Sequence, residues 1–184
     1  RWHHSSFRQC TILVLLDFSK ASYTVSHSTL IAILKSWGFT EESLLLFCSY
    51  LQDRAQSLKT KNIISQPRIV KSGVPQGSIL GPLLFALYTS QFHKCIQHCS
   101  IHTYADDTQM YLSFPIADID MMINNFNSDL KCLADVAAHH SLLLNPSKSV
   151  ALIFAKKTVR PFLESNVKLN INNNTINILD NSKN

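Results

Sequence analysis

The sequence predicts an α+β fold in which helices pack on one face of an antiparallel sheet. One observation is the order of the predicted elements, which runs strand, helices, hairpin, helix, strand-turn-strand, helix and strand. The other is size and composition, because 184 residues, of which 46% are hydrophobic, are enough for one domain with a substantial core.

The first predicted elements are a buried strand and two helices. CTILVLLDF, residues 10–18, is a continuous apolar run with β-branched residues, which is typical of a buried strand. Residues 28–39 carry apolar side chains at helical spacing, with Ser28 as the predicted N-cap. Residues 40–51 form the second predicted helix, with Thr40 as its N-cap and acidic residues in its first turn.

A hairpin, a glycine-rich loop and a third helix are predicted next. Residues 54–72 alternate and break at turn residues, which indicates a hairpin. SGVPQGSILGP, residues 72–82, holds three of the four glycines of the chain. This loop is therefore expected to need unusual backbone angles or the close approach of another molecule. The helix predicted over 79–92 places Pro82 in its first turn.

The second half of the chain is predicted as strand-turn-strand over 100–114, a long helix over 118–140 and a strand over 149–155. The tail from residue 166 alternates as a weak hairpin. The long helix presents one apolar face, formed by Ile119, Met122, Ile123, Phe126, Leu130 and Leu133.

Charge, hydropathy and cysteine content limit the classes of partner and the cellular compartment that the sequence predicts. The 17 Lys and Arg against 12 Asp and Glu give a net charge of +5, which fits an anionic partner such as nucleic acid, but also many ordinary basic proteins. No apolar run reaches membrane-spanning length, so no membrane partner is expected. The five cysteines, an odd number without a C-x-x-C pair, indicate free thiols and an intracellular, reducing compartment, with nucleus and cytoplasm both open.

Two interpretations remain open for one group of cysteines and histidines. Cys95 and Cys99 stand four residues apart in a helical pattern, with His93 and His98 nearby. The group is either a set of free thiols with unrelated histidines or a zinc site.

Three acids carry the chemical hypothesis. Asp17 closes the first strand, and Asp106 and Asp107 stand at the tip of a later hairpin. If the two strands are neighbours, the acids converge at one end of the sheet and repel each other unless divalent cations neutralise them. Two Mg²⁺ ions about 4 Å apart can activate an attacking oxygen and stabilise a leaving one. The pattern therefore indicates phosphoryl or nucleotidyl transfer, although an Asp-Asp pair can also be turn chemistry alone.

The chain resembles the reverse transcriptases of non-LTR (LINE-like) retrotransposons, close to the jockey-type elements. The resemblance covers roughly residues 11–155 and rests on five stretches in family order. These are VLLDFSKA with TVSH (14–27), SYLQDRAQS (49–57), SGVPQGSILGPLLFALY (72–88), YADDTQMYLS (104–113) and SLLLNPSKSVALIF (141–154).

The resemblance implies a polymerase palm that uses an RNA template, a DNA primer and dNTPs. Asp17 and Asp106 would hold the two Mg²⁺ ions, with Mn²⁺ as an alternative, and Asp107 would support them. The backbone at Phe18 and Ser19 would lie near the incoming triphosphate.

Three further residues take roles from the same resemblance. Gln76 and Gly77 would lie against the nascent base pair and template. Lys148 would lie near the pyrophosphate leaving group, although a solvated surface lysine is the other interpretation.

The chain also departs from the family pattern. Ser22 replaces an aromatic residue that packs under the sugar and excludes a 2′-hydroxyl, and Tyr23 replaces the usual acid. Residues 88–92, YTSQF, stand where the family tends to carry an Asn-Asp pair. We expect a palm with incomplete fingers over 1–160, followed by a hairpin or tail over 161–184 that stops before a thumb.

Three functions are consistent with these sequence features. The first is an RNA-directed DNA polymerase palm that is itself inactive as an isolated fragment. The second is a non-catalytic, nucleic-acid-binding remnant of a decayed element, which Ser22 and Tyr23 favour. The third is a two-metal nuclease, for which the glycine-rich loop over 72–82 has no evident task.

Overall fold

The computed structural model describes residues 9–179, and nine strands and six helices lie within that range. The strands are β1 (Gln9–Leu16), β2 (Ala55–Gln56), β3 (Arg68–Ile69), β4 (Ser100–Tyr104), β5 (Asp107–Pro115), β6 (Val150–Phe154), β7 (Asn170–Ile171), β8 (Asn174–Thr175) and β9 (Asn177–Ile178). The helices are α1 (Ala21–Thr24), α2 (His27–Ser36), α3 (Glu41–Leu51), α4 (Leu80–Thr89), α5 (Ile119–His139) and α6 (Arg160–Asn166). This mixed α+β architecture confirms the predicted fold class.

The main sheet has five strands in the order β4-β5-β1-β6-β9. The central strand β1 runs antiparallel to both β5 and β6, and β4 runs antiparallel to β5. The edge strand β9 pairs with β6 in parallel, so part of the tail, which was predicted only as a weak hairpin, contributes a fifth strand to the main sheet. The sheet is therefore mostly antiparallel, as expected, with one parallel edge.

Strand β1 buries one face only. Cys10, Ile12, Val14 and Leu16 are buried, whereas the three residues between them are half-buried. Since successive side chains of a strand point to opposite faces, the even-numbered residues face the core and the odd-numbered ones the other side. The hydroxyl groups of Thr11 and Ser113 meet at 2.8 Å on that second face, across the β1–β5 pair.

The helix caps match the sequence prediction at one helix and not at the other. The Thr40 hydroxyl accepts a hydrogen bond from the Ser43 backbone N–H at 3.3 Å, as predicted for α3. The cap of α2 is Ser26, whose hydroxyl accepts from the Thr29 N–H, so the prediction of Ser28 is wrong by two residues. The chain enters the helix already at His27, which places Ser28 inside the first turn.

Helices α4 and α5 follow the predicted patterns. Pro82 lies in the first turn of α4, where a missing backbone N–H costs no intrahelical hydrogen bond. In α5, four of the predicted apolar residues are buried and Ile119 and Ile123 pack partly buried against the core. The buried four are Met122, Phe126, Leu130 and Leu133.

The hairpins are present but short. Strands β2 and β3 pair antiparallel through Ala55–Ile69 and Gln56–Arg68, which confirms the hairpin over 54–72. The tail forms a second hairpin from β7 and β8. The sequence missed α1 and α6, which span only four and seven residues. Within residues 9–179, no helix is long and apolar enough to cross a membrane.

Candidate active site

Asp17 and Asp107 lie at the same edge of two neighbouring strands. The last β1–β5 pair is Leu16 with Thr108, so the chain continues past β1 into Asp17 at the end of the sheet where β5 begins with Asp107. Adjacent strands lie about 4.8 Å apart, and both acids have odd-numbered positions on the open face of the sheet. The register therefore brings together two of the three predicted acids.

Asp106 occupies the turn between β4 and β5. Tyr104 pairs with Asp107, so Ala105 and Asp106 are the two residues of a tight hairpin loop. Ala105, the first central residue of the turn, has a positive φ of 53°. Asp106, the second central residue, does not have a positive φ. Both Asp106 and Asp107 are exposed, whereas Asp17 is half-buried.

The backbone of Asp17 is fixed from the β6 side. Its N–H donates to the Ser149 hydroxyl at 3.1 Å, and its carbonyl accepts from the Asn145 N–H at 2.8 Å. The Ser149 hydroxyl in turn donates to the Asn145 carbonyl at 2.8 Å, and Ser149 is fully buried. Lys148 is exposed in the turn just before β6, so it lies at the same end of the sheet as Asp17.

The residues after Asp17 are anchored in the protein itself. The Phe18 side chain is buried, and its ring centroid lies 5.8 Å from that of Phe92. The Ser19 N–H donates to the Leu143 carbonyl at 2.8 Å. The Ser19 amide is therefore already engaged, and the predicted contact of this backbone with a triphosphate stays a prediction.

A cleft of about 300 Å³ opens beside the turn that carries Asp106. It gathers four of the predicted site residues, which are Ser22, Gln76, Gly77 and Asp106. The remaining wall is formed by Val74, Pro75, Gly81, Pro82, Phe85 and Ala105. The glycine-rich loop and the hairpin tip thus form a single cleft, although they are distant in the sequence.

Gly73 allows the loop to lie against α1 and the residue that follows it. A Cβ placed on Gly73 would stand 2.8 Å from the Ser22 carbonyl oxygen and 2.9 Å from the Tyr23 Cα, and its φ is +87°. The Gly73 N–H donates to the Val25 carbonyl, and the Val74 N–H to the Ser22 carbonyl. Glycine is needed here because the two backbones meet with no room for a side chain.

Gly77 and Gly81 serve the cleft in different ways. Gly77 has a φ of +75° and open space around a would-be Cβ, so it leaves the cleft wall free of a side chain. A Cβ on Gly81 would stand 2.6 Å from the Pro75 carbonyl oxygen, so Gly81 permits the loop to turn tightly into α4.

Tyr88 connects three helices through the hydrogen bonds of its hydroxyl. Its hydroxyl accepts from the Ser26 N–H at 3.2 Å and donates to the His140 carbonyl. Burial raises the pKa of the Tyr88 phenol, and burial, helped by the neighbouring charge of His139, lowers the pKa of His140. Helix α4, the cap of α2 and the end of α5 are thereby joined through one neutral phenol.

The cysteine and histidine group shows no metal-binding geometry. Within residues 9–179, no three or more His, Cys, Asp or Glu side chains are arranged to hold a metal ion. Burial raises the pKa of Cys95 to about 12 and also raises that of Cys99, so both thiols are protonated at neutral pH. The buried Asp129 carboxylate instead accepts from the N–H groups of residues 97–99, which fixes the loop before β4.

Sequence reasoning missed two residues of the site. Ser149 supports Asp17 through a hydrogen bond across 132 residues, and no local pattern announces it. Tyr23 was noted only as a departure, but its hydroxyl donates to Oε1 of Gln76 at 3.0 Å beside the cleft.

A palm-like sheet with acids at one edge and a glycine-lined cleft defines a nucleotidyl-transferase class of fold. Residues 2–178 match the family described as "Reverse transcriptase (RNA-dependent DNA polymerase)". The chain belongs to this family, whose polymerases generally use divalent metal ions.

Curated relatives come from transposable elements of Drosophila melanogaster. The chain is 31% identical over 155 residues to the probable RNA-directed DNA polymerase from transposon BS. This alignment covers 80% of this chain and 17% of that protein. The chain is 25% identical over 158 residues to the RNA-directed DNA polymerase from mobile element jockey, covering 82% and 17%. These matches confirm the resemblance to LINE-like elements, and the chain spans 17% of the length of both relatives.

Solved structures with the same fold are telomerases. The telomerase from Candida tropicalis, in complex with the TWJ fragment of telomeric RNA, matches with a TM-score of 0.59 at 11% identity, covering 84% of this chain and 27% of that one. The Candida albicans telomerase, also with a TWJ fragment, matches with a TM-score of 0.56 at 15% identity, covering 80% and 28%. At these identities, the likeness concerns the fold alone.

Proposed function

We propose that this chain is the palm of an RNA-directed DNA polymerase from a retrotransposon. It would help to transfer a nucleotidyl group from a dNTP to the 3′-hydroxyl of a DNA primer paired with an RNA template. The observation that supports the proposal is the β1–β5 register, which carries Asp17 and Asp107 to the same end of adjoining strands, together with the cleft that Asp106 lines.

The three acids are proposed as the ligands of Mg²⁺, with Mn²⁺ as an alternative. Carboxylate oxygens are the donors that these hard cations prefer, and the strand register supports the grouping. The described acids do not enclose an ion by themselves. Mg²⁺ is commonly held by one or two carboxylates together with substrate phosphates, so this arrangement fits ions that enter with the triphosphate. When bound, such ions supply charge stabilisation for the attacking and leaving oxygens.

The other site residues would orient the substrate. Gly77 leaves space for the nascent base pair, and Gln76 stands beside it on the same cleft wall. Ser22 offers a small side chain at the position where the family tends to carry a ring, which leaves room near the sugar. Lys148 is proposed to stabilise the pyrophosphate, because it is exposed near Asp17. Phe18 and Ser19 would contribute by fixing the backbone after Asp17.

The test is primer extension on an RNA template by a complete element that carries this palm. The native palm is compared with Asp106→Asn, and Asp135→Asn on α5 serves as a control that removes a charge away from the cleft. We expect extension by the native and control proteins and a loss of at least about a hundredfold with Asp106→Asn, the scale on which removing one electrostatic stabiliser acts. Equal extension by the native protein and Asp106→Asn would refute the catalytic assignment.

The isolated chain is expected to show little or no extension. It spans 17% of the length of its relatives, and we expect extension to need more of such a protein than this chain spans. Robust extension by these 184 residues alone would overturn this expectation.

The second candidate is a nucleic-acid-binding remnant without catalysis. Ser22 and Tyr23, which replace the aromatic residue and acid of the family, are the observation that favours it. Salt-sensitive nucleic-acid binding together with no Mg²⁺-dependent turnover in the complete element would support this candidate. Cleavage of labelled DNA in Mg²⁺ without dNTPs would instead indicate a nuclease.

A further inference from the structure

Tyr23 and Gln76 form a hydrogen-bonded pair at the mouth of the cleft. The Tyr23 hydroxyl donates to Oε1 of Gln76 at 3.0 Å across 53 residues of sequence. Tyr23 is 57% exposed, so burial in the core does not explain its place. Gln76 is exposed as well, yet it lines the cleft next to Gly77.

The phenol stands on a backbone that is held tightly. The Ser72 hydroxyl donates to the Tyr23 carbonyl at 2.9 Å, and the Val74 N–H donates to the Ser22 carbonyl at 2.9 Å. Gly73 brings the two segments into direct backbone contact. Because both ends of the Tyr23–Gln76 pair start from this clamped region, the phenol can restrain the glutamine side chain.

A restrained glutamine binds more tightly than a free one. Fixing a flexible side chain on binding costs conformational entropy, and a contact made beforehand removes part of that cost. With Oε1 engaged by the phenol, the two hydrogens on Nε2 are the donors that Gln76 has left for a ligand. Every base pair displays an acceptor in its minor groove, purine N3 or pyrimidine O2, whatever its sequence.

We propose that Tyr23 is a positioning residue that holds the Gln76 amide ready to donate to a minor-groove acceptor of the nascent base pair. The proposal rests on the proposed function, because it takes the cleft as the place of that base pair. It assigns Tyr23 a task that the acid usual at this position would not perform, since a carboxylate has no hydrogen to donate to Oε1.

The test is a double-mutant cycle on binding of a DNA primer annealed to an RNA template, with Mg²⁺ and the next complementary dNTP present. The proteins are a complete element that carries the unaltered palm, and the same element with Tyr23→Phe, with Gln76→Glu and with both changes. Tyr23→Phe removes only the hydroxyl, and Gln76→Glu keeps Oε1 but removes the donor. We expect each single change to weaken binding by about three- to tenfold, the worth of an ordinary hydrogen bond, and the double variant to bind no more weakly than Gln76→Glu.

Tyr50→Phe is the matched control. It removes the same group from α3, where the Tyr50 hydroxyl is buried and has no hydrogen-bond partner among residues 9–179. It should leave binding unchanged. Thermal unfolding should give the same midpoint for Tyr23→Phe and the unaltered chain, which separates positioning from a general structural role.

The mobility of the Gln76 side chain is also measured in the chain without bound nucleic acid. Relaxation of the Gln76 side-chain amide in nitrogen-15 NMR should show greater mobility in Tyr23→Phe than in the unaltered chain. Equal mobility in the two proteins, or binding losses that simply multiply in the double variant, would overturn the proposal. Binding and mobility are measured without any chemical step. Equal primer extension by the native protein and Asp106→Asn would therefore refute the proposed function and leave these results standing.

Discussion

The β1–β5 register ends with Leu16 opposite Thr108, so Asp17, the next residue after β1, and Asp107, the first residue of β5, lie at the same end of the sheet. Two like charges at neighbouring strand ends raise the free energy of the protein unless a cation or water compensates them. The sheet tolerates this arrangement at its edge, where Asp107 is exposed and Asp17 half-buried.

This charge pair should make stability respond to Mg²⁺. Replacing Asp17 and Asp107 together by Asn is expected to raise the free energy of unfolding without metal by a few tenths to about 1 kcal/mol, because a short-range repulsion is removed. Millimolar Mg²⁺ should raise the unfolding midpoint of the unaltered protein but not of this variant. Thermal scans with and without Mg²⁺ check this, with Asp135→Asn as the charge control. A metal response that survives the double replacement would contradict it.

The close approach at Gly73 can be separated from its backbone angle. Gly73→Ala is expected to lower the free energy of unfolding by about 3 kcal/mol, the sum of left-handed strain and a backbone clash. Gly38→Ala has the matched φ of +86° but nothing within 4 Å of its Cβ, so about 1 kcal/mol is expected. Urea unfolding of both variants gives the comparison. Equal losses would show that the contact with residues 22 and 23 costs nothing.

Ser149 should be needed for stability at the Asp17 end of the sheet. Ser149→Ala leaves the half-buried Asp17 N–H without its partner and empties the buried position of the hydroxyl, for a loss of about 1–2 kcal/mol in the free energy of unfolding. Ser165→Ala removes an exposed hydroxyl that donates within α6, and it should cost less than about 0.5 kcal/mol. Chemical unfolding of the two variants distinguishes them, and a neutral Ser149→Ala would mean that the sheet end adjusts.

Ser22 should set how the cleft treats a 2′-hydroxyl. Ser22→Phe places a ring in the wall of the cleft, and it is expected to raise the preference for dNTPs over rNTPs by about 10- to 200-fold, the range that one added group in a pocket provides. Steady-state extension in the complete element, with each nucleotide type in turn, measures the preference. No change in the ratio would place the sugar elsewhere.

His140 should give stability a pH dependence. Its pKa is lowered from 6.5 chiefly by burial, so the unfolded chain takes up a proton at higher pH than the folded protein does. Stability is then complete above about pH 6.5 and declines as the pH falls through the folded pKa. His140→Phe keeps a ring against Phe92 and Tyr88 and should flatten this decline, as unfolding at several pH values would show. An unchanged slope would assign the decline to other groups.

Local signals predicted the elements well, because capping and apolar spacing act over a few residues. Thr40 was correctly predicted as the cap of α3. At α2 the prediction chose Ser28 instead of the observed cap Ser26, because two serines lie near the start of that helix. Residues of β9 were predicted as part of a tail hairpin, but their parallel pairing with β6 was not, since two residues are too few to show which strand they join.

The site was predicted in outline and not in detail. Asp17 and Asp107 could be joined because each ends or begins a recognisable strand. The Ser149 contact and the Tyr23–Gln76 pair could not be read from the sequence, because they depend on side chains that meet across 132 and 53 residues. The roles of the nine predicted site residues in binding and catalysis stay predictions.

The place of β1 in the middle of the sheet has a consequence for synthesis on the ribosome. Both of its partners, β5 and β6, are translated much later, so the apolar stretch TILVLL emerges with nothing to pair with. Folding that depends on such distant pairing is slow, and the waiting segment is prone to self-association. Chaperones that shield this stretch, or slower translation, are therefore expected to raise the yield of folded protein.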